Sequence, residues 1–146
     1  MARVLVIDDD KQIRGLLRQV LERDGHGVEE AADGAQGVEV FAASPADLVI
    51  IDIFMPRCGG WETLRALQQL APGLPFVIIS AGAPLEVLKR GLPGTLASVR
   101  RLAEYRMLRK PFKLTALSDA VRELLAAKLR RGMSRSLLNG RERRLG

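Results

Sequence analysis

Three short runs constrain this fold more than anything else in the chain: Val4-Leu5-Val6-Ile7, Leu48-Val49-Ile50-Ile51 and Phe76-Val77-Ile78-Ile79. Each is rich in β-branched residues and almost continuously apolar, the pattern of a strand covered on both faces in a parallel sheet. Gly27 to Ala31 and Tyr105 to Leu108 are weaker strand candidates. Helical patterns separate the strands. Ile13, Leu16, Leu17, Val20 and Leu21 recur at helical spacing, which assigns Arg14, Arg18, Glu22 and Arg23 to the opposite face. Asp10 is placed to cap this helix and Asp24-Gly25 to end it. A second helix is predicted from Asp33-Gly34 to a stop at Ser44-Pro45, and a third over Trp61 to Leu70. A last helix carries Leu114, Leu117, Val121, Leu124 and Leu125. This alternation predicts an α/β fold, a doubly wound five-stranded parallel sheet flanked by helices. Between Ala81 and Glu104 the residues Gly82, Pro84, Gly91, Pro93 and Gly94 interrupt the pattern, and an irregular or broken fourth helix is expected there.

A chain of 146 residues buries enough surface to hold one domain without a crosslink. Cys58 is the only cysteine, which excludes an intrachain disulfide and a cysteine-based zinc site. His26 is the only histidine, which excludes a His-rich metal site and an internal phosphohistidine relay. No apolar run approaches the ~18 residues of a membrane span, and MARVLVIDDD turns acidic where a signal peptide would stay apolar. A soluble cytoplasmic protein is expected.

The formal net charge of +6 belongs to one segment. Residues 128–146 hold seven of the 23 Lys+Arg and one of the 17 Asp+Glu, which leaves 16 of each sign in residues 1–127. Residues 1–127 are therefore expected to form the domain, with 128–146 a basic extension of the last helix or a disordered tail. Such a segment is open to three uses: solvated helix end, docking of an acidic partner, or contact with nucleic acid or a membrane surface. It has no aromatic residue for base stacking and is too short for a helix-turn-helix.

In an open parallel sheet, ligands bind at the carboxyl ends of the strands. Polar residues stand just there: Asp8, Asp9 and Asp10 after the first run, Asp52 after the second, Ser80 after the third and Lys110 after the last strand. Asp8, Asp9 and Asp52 converging would repel one another unless a cation joined them, and a hard divalent ion with oxygen ligands, Mg²⁺ by default, suits that set. Lys110 adds a point charge fit for a phosphoryl oxygen or for Asp52, and Ser80 a hydroxyl donor. The set is arranged to take a phosphoryl group on an Asp52 oxygen.

VLVIDDD, LVIIDIFMPRCGGWE, VIISA and Lys110-Pro111-Phe112, in that order, resemble the receiver domain of two-component response regulators, with its CheY-like, flavodoxin-like fold, over about residues 3–130. The resemblance implies that Asp52 is the phosphoacceptor and that Asp9, Asp8, Asp52 and the backbone carbonyl of Phe54 hold Mg²⁺. It implies that Ser80 and Lys110 contact the phosphoryl group and that Pro111 is a candidate for a cis peptide bond. The implied partners are a histidine kinase or phosphotransfer protein upstream and a protein target downstream, with homodimerisation left open. A chain of this length leaves no room for a fused output domain, so output is expected through protein–protein contact. Two positions depart from the family. Where it usually has Tyr or Phe three residues before the lysine, as a rotamer switch, this chain has Met107, and Tyr105 lies five before. Ser80 and Lys110 are also 30 residues apart, several more than is common.

Competing readings are weaker. A phosphohydrolase would need a second acid two residues after Asp52, where Phe54 stands. A DNA-binding regulator would act only through the tail. A nucleotide-binding α/β protein is the least favoured reading, because neither a P-loop nor a Gly-x-Gly-x-x-Gly turn follows any strand.

Overall fold

The computed structural model describes residues 2–55, 59–81 and 104–145, with side chains up to residue 140. In chain order the elements are β1 (Arg3–Ile7), α1 (Lys11–Arg23), β2 (Gly27–Ala31), α2 (Gly34–Ala43), β3 (Leu48–Asp52), α3 (Gly60–Leu70), β4 (Phe76–Ala81), β5 (Tyr105–Lys110) and α4 (Leu114–Leu145). The irregular helix expected between Ala81 and Glu104 lies outside the described residues, as do Pro56 and Cys58.

All strand pairs are parallel, in the order β2-β1-β3-β4-β5. The order follows from the sequence patterns. The continuously apolar runs of β1, β3 and β4 take the three central places, where both faces are covered, whereas β2 and β5 alternate in burial and form the edges. Side-chain alternation then divides the core in two. Leu5, Ile7, Val49, Ile51, Phe76 and Ile78 face Phe41 of α2 and Leu64 and Leu67 of α3. Val4, Val6, Leu48, Ile50, Val77 and Ile79 face Leu17 and Leu21 of α1 and Leu117, Val121 and Leu124 of α4. The chain leaves β1 toward β2 on one side and returns to β3 on the other, which opens a crevice at the carboxyl ends of β1 and β3.

The helix ends follow their chemistry. Asp10 accepts hydrogen bonds from the backbone N–H groups of Gln12 (2.9 Å) and Ile13 (3.4 Å), and Asp33 accepts one from Gln36 (2.8 Å). Gly25, with φ of 93°, takes the left-handed conformation that lets the chain leave α1. Two residues of α1 depart from the pattern read in the sequence. Leu16, assigned to the apolar stripe, is 45% exposed. Arg14, assigned to the solvent face, has a largely covered side chain because it reaches the carboxyl edge of β1 and β2.

A helix of α4's 32 residues is about 48 Å long, far more than a five-residue strand spans. It starts beyond the carboxyl edge of the sheet and runs past the amino edge. There Lys128 Nζ donates to the Asp47 carbonyl (3.2 Å), and Arg131 approaches Glu104 (3.9 Å). Beyond Leu125 its large apolar residues Leu129, Met133, Leu137 and Leu138 are exposed. Among the described residues, no helix is long and apolar enough to cross a membrane.

Outside the core, the Glu30 carboxylate of β2 ties this strand to α1. It accepts from Arg18 Nε (2.6 Å) and Arg14 Nε (3.3 Å). The Arg18 hydrogen bond, with Arg14 adding to it, holds the Glu30 carboxyl below its ordinary value of 4.5. A depressed acid stabilises the fold in full above its unfolded value, and that contribution is lost as pH falls through the lower folded value. Glu30→Gln is therefore expected to lower stability at pH 7 by about 0.5–1 kcal/mol, with the gap to wild type closing as pH falls below 4.5. Thermal melts of both proteins from pH 7 to pH 3 check this.

Candidate functional site

Asp8 follows β1, and its backbone is fixed from three directions. Its N–H donates to the Ala31 carbonyl (3.1 Å), its carbonyl accepts from Arg14 Nη1 (2.7 Å), and its Oδ1 accepts from the Asp10 N–H (2.9 Å). Only 1% of Asp8 is exposed. Asp52, the last residue of β3, is 3% exposed. Its Oδ1 accepts from the Phe54 N–H at 2.8 Å, which fixes the carboxylate plane, and its Oδ2 accepts from Lys110 Nζ at 3.0 Å. Lys110 Nζ also lies 3.5 Å from Asp8 Oδ2.

Strand alternation explains this meeting. Asp8, Asp52 and Lys110 continue the parity of Val6, Ile50 and Leu108, so all three lie toward the α1 and α4 side of the sheet. Lys110 belongs to the edge strand and must cross the level of β4 to reach β3. Its register partner on β4 is Ala81, whose side chain is only a methyl.

Burial pushes the Asp8 carboxyl up from its ordinary value, although the Asp10 N–H and Lys110 act the other way. Burial works to lower the Lys110 ammonium, but the hydrogen bond to Asp52 and the charge of Asp8 outweigh it and leave Lys110 raised, fully protonated at neutral pH. Asp9 is exposed, and one oxygen each from Asp8, Asp9 and Asp52 come within 4.8 Å of one another. Three hard oxygen donors at this spacing, two of them buried, fit a small divalent cation such as Mg²⁺.

Ser80 is fully buried near the end of β4, and among the described residues its Oγ has no hydrogen-bond partner. Ser80 has the parity of Ile78 and so belongs to the other face of the sheet, where Met107 pairs with Ile78 and packs against the α2 and α3 core. Phe54 is exposed and donates through its backbone. The Lys110–Pro111 peptide is cis. Trp61, at the start of α3, packs against the same core as Met107.

Two residues have roles at the site that the sequence does not show. Arg14 holds the Asp8 carbonyl, and the nearby acid on β2 was the available sign of it. Gly60 is the other. A Cβ there would stand 2.3 Å from Ile53 Cα and 2.7 Å from the Asp52 carbonyl oxygen, so the first turn of α3 rests directly on the backbone of the acceptor strand.

Comparison with known proteins bears on this edge. The family model for the response regulator receiver domain matches residues 4–122. Response regulator MprA of Mycolicibacterium vanbaalenii is 33% identical over 123 residues, 84% of this chain and 50% of that protein. The chain thus spans about half the length of the curated relatives it matches. Among solved structures, a CheY-like receiver domain protein from Methanospirillum hungatei has a TM-score of 0.76 at 28% identity, covering 90% of this chain and 98% of its own. A receiver domain protein from Clostridium thermocellum gives 0.73 at 30% identity, with 88% and 97% covered.

The close approach at Gly60 makes a specific prediction. In Gly60→Ala the added methyl meets backbone, which cannot swing aside as a side chain would, so stability should fall by about 1–3 kcal/mol. Gly73→Ala, where a Cβ would meet nothing within 4 Å, is the control and should shift stability far less. Urea unfolding of the two variants measures the contrast.

Proposed function

The chain belongs to the response regulator receiver domain family of two-component systems, and we propose that it takes a phosphoryl group on Asp52 from the phosphohistidine of a kinase or phosphotransfer protein. One observation carries this reading: a single ammonium, Lys110 Nζ, sits between two buried carboxylates at a sheet edge that also holds the buried Ser80 hydroxyl. A purely structural ion pair would not need the third carboxylate of Asp9.

In the proposed transfer a lone pair of the Asp52 carboxylate forms the new O–P bond. The N–P bond of the phosphohistidine breaks, and its electron pair returns to the imidazole nitrogen. The Phe54 N–H holds the carboxylate in one orientation before the donor arrives. Lys110 offsets negative charge on the transferred group, and its reach to both Asp8 and Asp52 lets it move between partners without leaving the site. Ser80 Oγ offers its proton to a phosphoryl oxygen. Asp8, Asp9 and Asp52, with the Phe54 carbonyl, would hold Mg²⁺, which when bound supplies further positive charge against the phosphoryl oxygens.

Signalling out of the site would differ from the aromatic switch usual in the family. Met107 cannot present a hydroxyl, but its unbranched thioether side chain can repack when Ser80 shifts, so the response on that face is an apolar rearrangement. The output would be contact with another protein, in a cytoplasmic setting, with the identity of the target and any dimer set by that face.

Incubation with acetyl phosphate and Mg²⁺ should add the mass of one phosphoryl group to the wild-type chain and none to Asp52→Asn. Chelation of the metal should abolish the gain, and Lys110→Met should slow it by at least tenfold. An equal gain in Asp52→Asn would remove Asp52 from the role.

A further inference from the structure

At the amino edge of the sheet, opposite the carboxylates, a cleft of about 550 Å³ lies between the α3–β4 turn and the distal half of α4. Ala71, Pro72, Gly73 and Leu74 form one wall, and Lys128, Arg131, Gly132 and Arg135 form the other. A second cleft of about 390 Å³ shares Arg131 and Arg135 with it. We propose that this cleft binds a nucleotide carrying two or more phosphates, its phosphates on the α4 wall and its base against Pro72 and Leu74.

Volume, charge and shape support this independently. The volume falls in the range of small-molecule sites. Among the described residues that line the larger cleft there are three cations and no carboxylate. They recur at i, i+3 and i+7 on one helix face and therefore form a row about 10 Å long, which a single phosphate cannot span. Lys128 and Arg131 hold Asp47 and Glu104 at 3.7 and 3.9 Å, the long limit of ion pairing, and among the described residues Arg135 holds no carboxylate. The Arg135 guanidinium can take phosphate oxygens in pairs, and Arg131 and Lys128 would exchange these long ion pairs for phosphate contacts. Glycine keeps the cleft open on both sides: a Cβ at Gly73 or Gly132 would meet nothing within 4 Å. Gly132 sits in the interior of a helix at a cost of about 1 kcal/mol relative to Ala, and here it leaves the space facing the turn unfilled. The opposite wall is apolar apart from its backbone, which suits a flat base better than a second row of charges.

The test is isothermal titration of the full chain with ADP, ATP, adenosine and inorganic pyrophosphate. Saturable one-to-one binding of ADP or ATP is expected, at least tenfold tighter than that of adenosine or pyrophosphate. Arg135→Ala should weaken it at least tenfold, and Gly132→Phe, which fills the cleft, should abolish it. Lys110→Met should leave it unchanged, which separates this cleft from the carboxylate edge. Circular dichroism confirms that each variant is folded, and Arg135→Ala, on an exposed helix face, decides the matter if Gly132→Phe does not fold. No saturable binding overturns the proposal. So does binding that Arg135→Ala leaves intact, binding lost in Lys110→Met, or pyrophosphate binding as tightly as ADP.

Discussion

Two carboxylates in this chain have almost no contact with water, and one ammonium makes that tolerable. Removing a carboxylate from water costs several kcal/mol unless a cation or several donors replace the water. Asp8 and Asp52 each receive one backbone N–H, and both turn their other oxygen to Lys110. The demands on the fold follow. β5 must pair with β4 in the register that places Lys110 opposite Ala81. β4 must carry a small residue at that level on that face. β1 and β3 must be neighbours, which requires the chain to pass to β2 and return across the sheet. The sheet order is what brings three residues far apart in sequence within reach of one nitrogen.

The carbonyl of Asp8 and the backbone after Asp52 are held just as closely. Arg14 reaches the first from α1, and the bare backbone of Gly60 rests on the second. The site is thus fixed from beneath by main-chain contacts while its side chains stay less committed: Asp9 is exposed, Ser80 Oγ has no partner among the described residues, and Lys110 is shared between two acids. Rigid backbone with uncommitted side chains is the condition for accepting a charged group without rebuilding the surroundings.

Much of this was legible in the sequence because its signals are local. Continuous β-branched runs name central strands, Asp10 and Asp33 name helix starts, and acids at strand ends name the binding edge. What was not legible depends on a second element. Leu16 belongs to the apolar spacing of α1, yet spacing alone cannot show that the packing leaves it 45% exposed. Arg14 reads as a surface cation until Glu30 and the Asp8 carbonyl come within its reach. Gly60 reads as a loop glycine, since nothing in its own neighbourhood reveals that Ile53 passes behind it. Periodicity likewise gives the inner face of α4 as far as Leu125, but it cannot show that Leu129, Met133 and Leu137, which continue at helical spacing, lie past the end of the sheet and stay exposed.

The length of α4 has a consequence on a larger scale. The neutral body places its buried acids at one end, and the helix carries Lys128, Arg130, Arg131 and Arg135 past the other. Four cations on one helix beyond the sheet make a local region of positive potential, felt within about a Debye length, ~8 Å at physiological salt, so a negatively charged surface would be drawn to the helix end before contact.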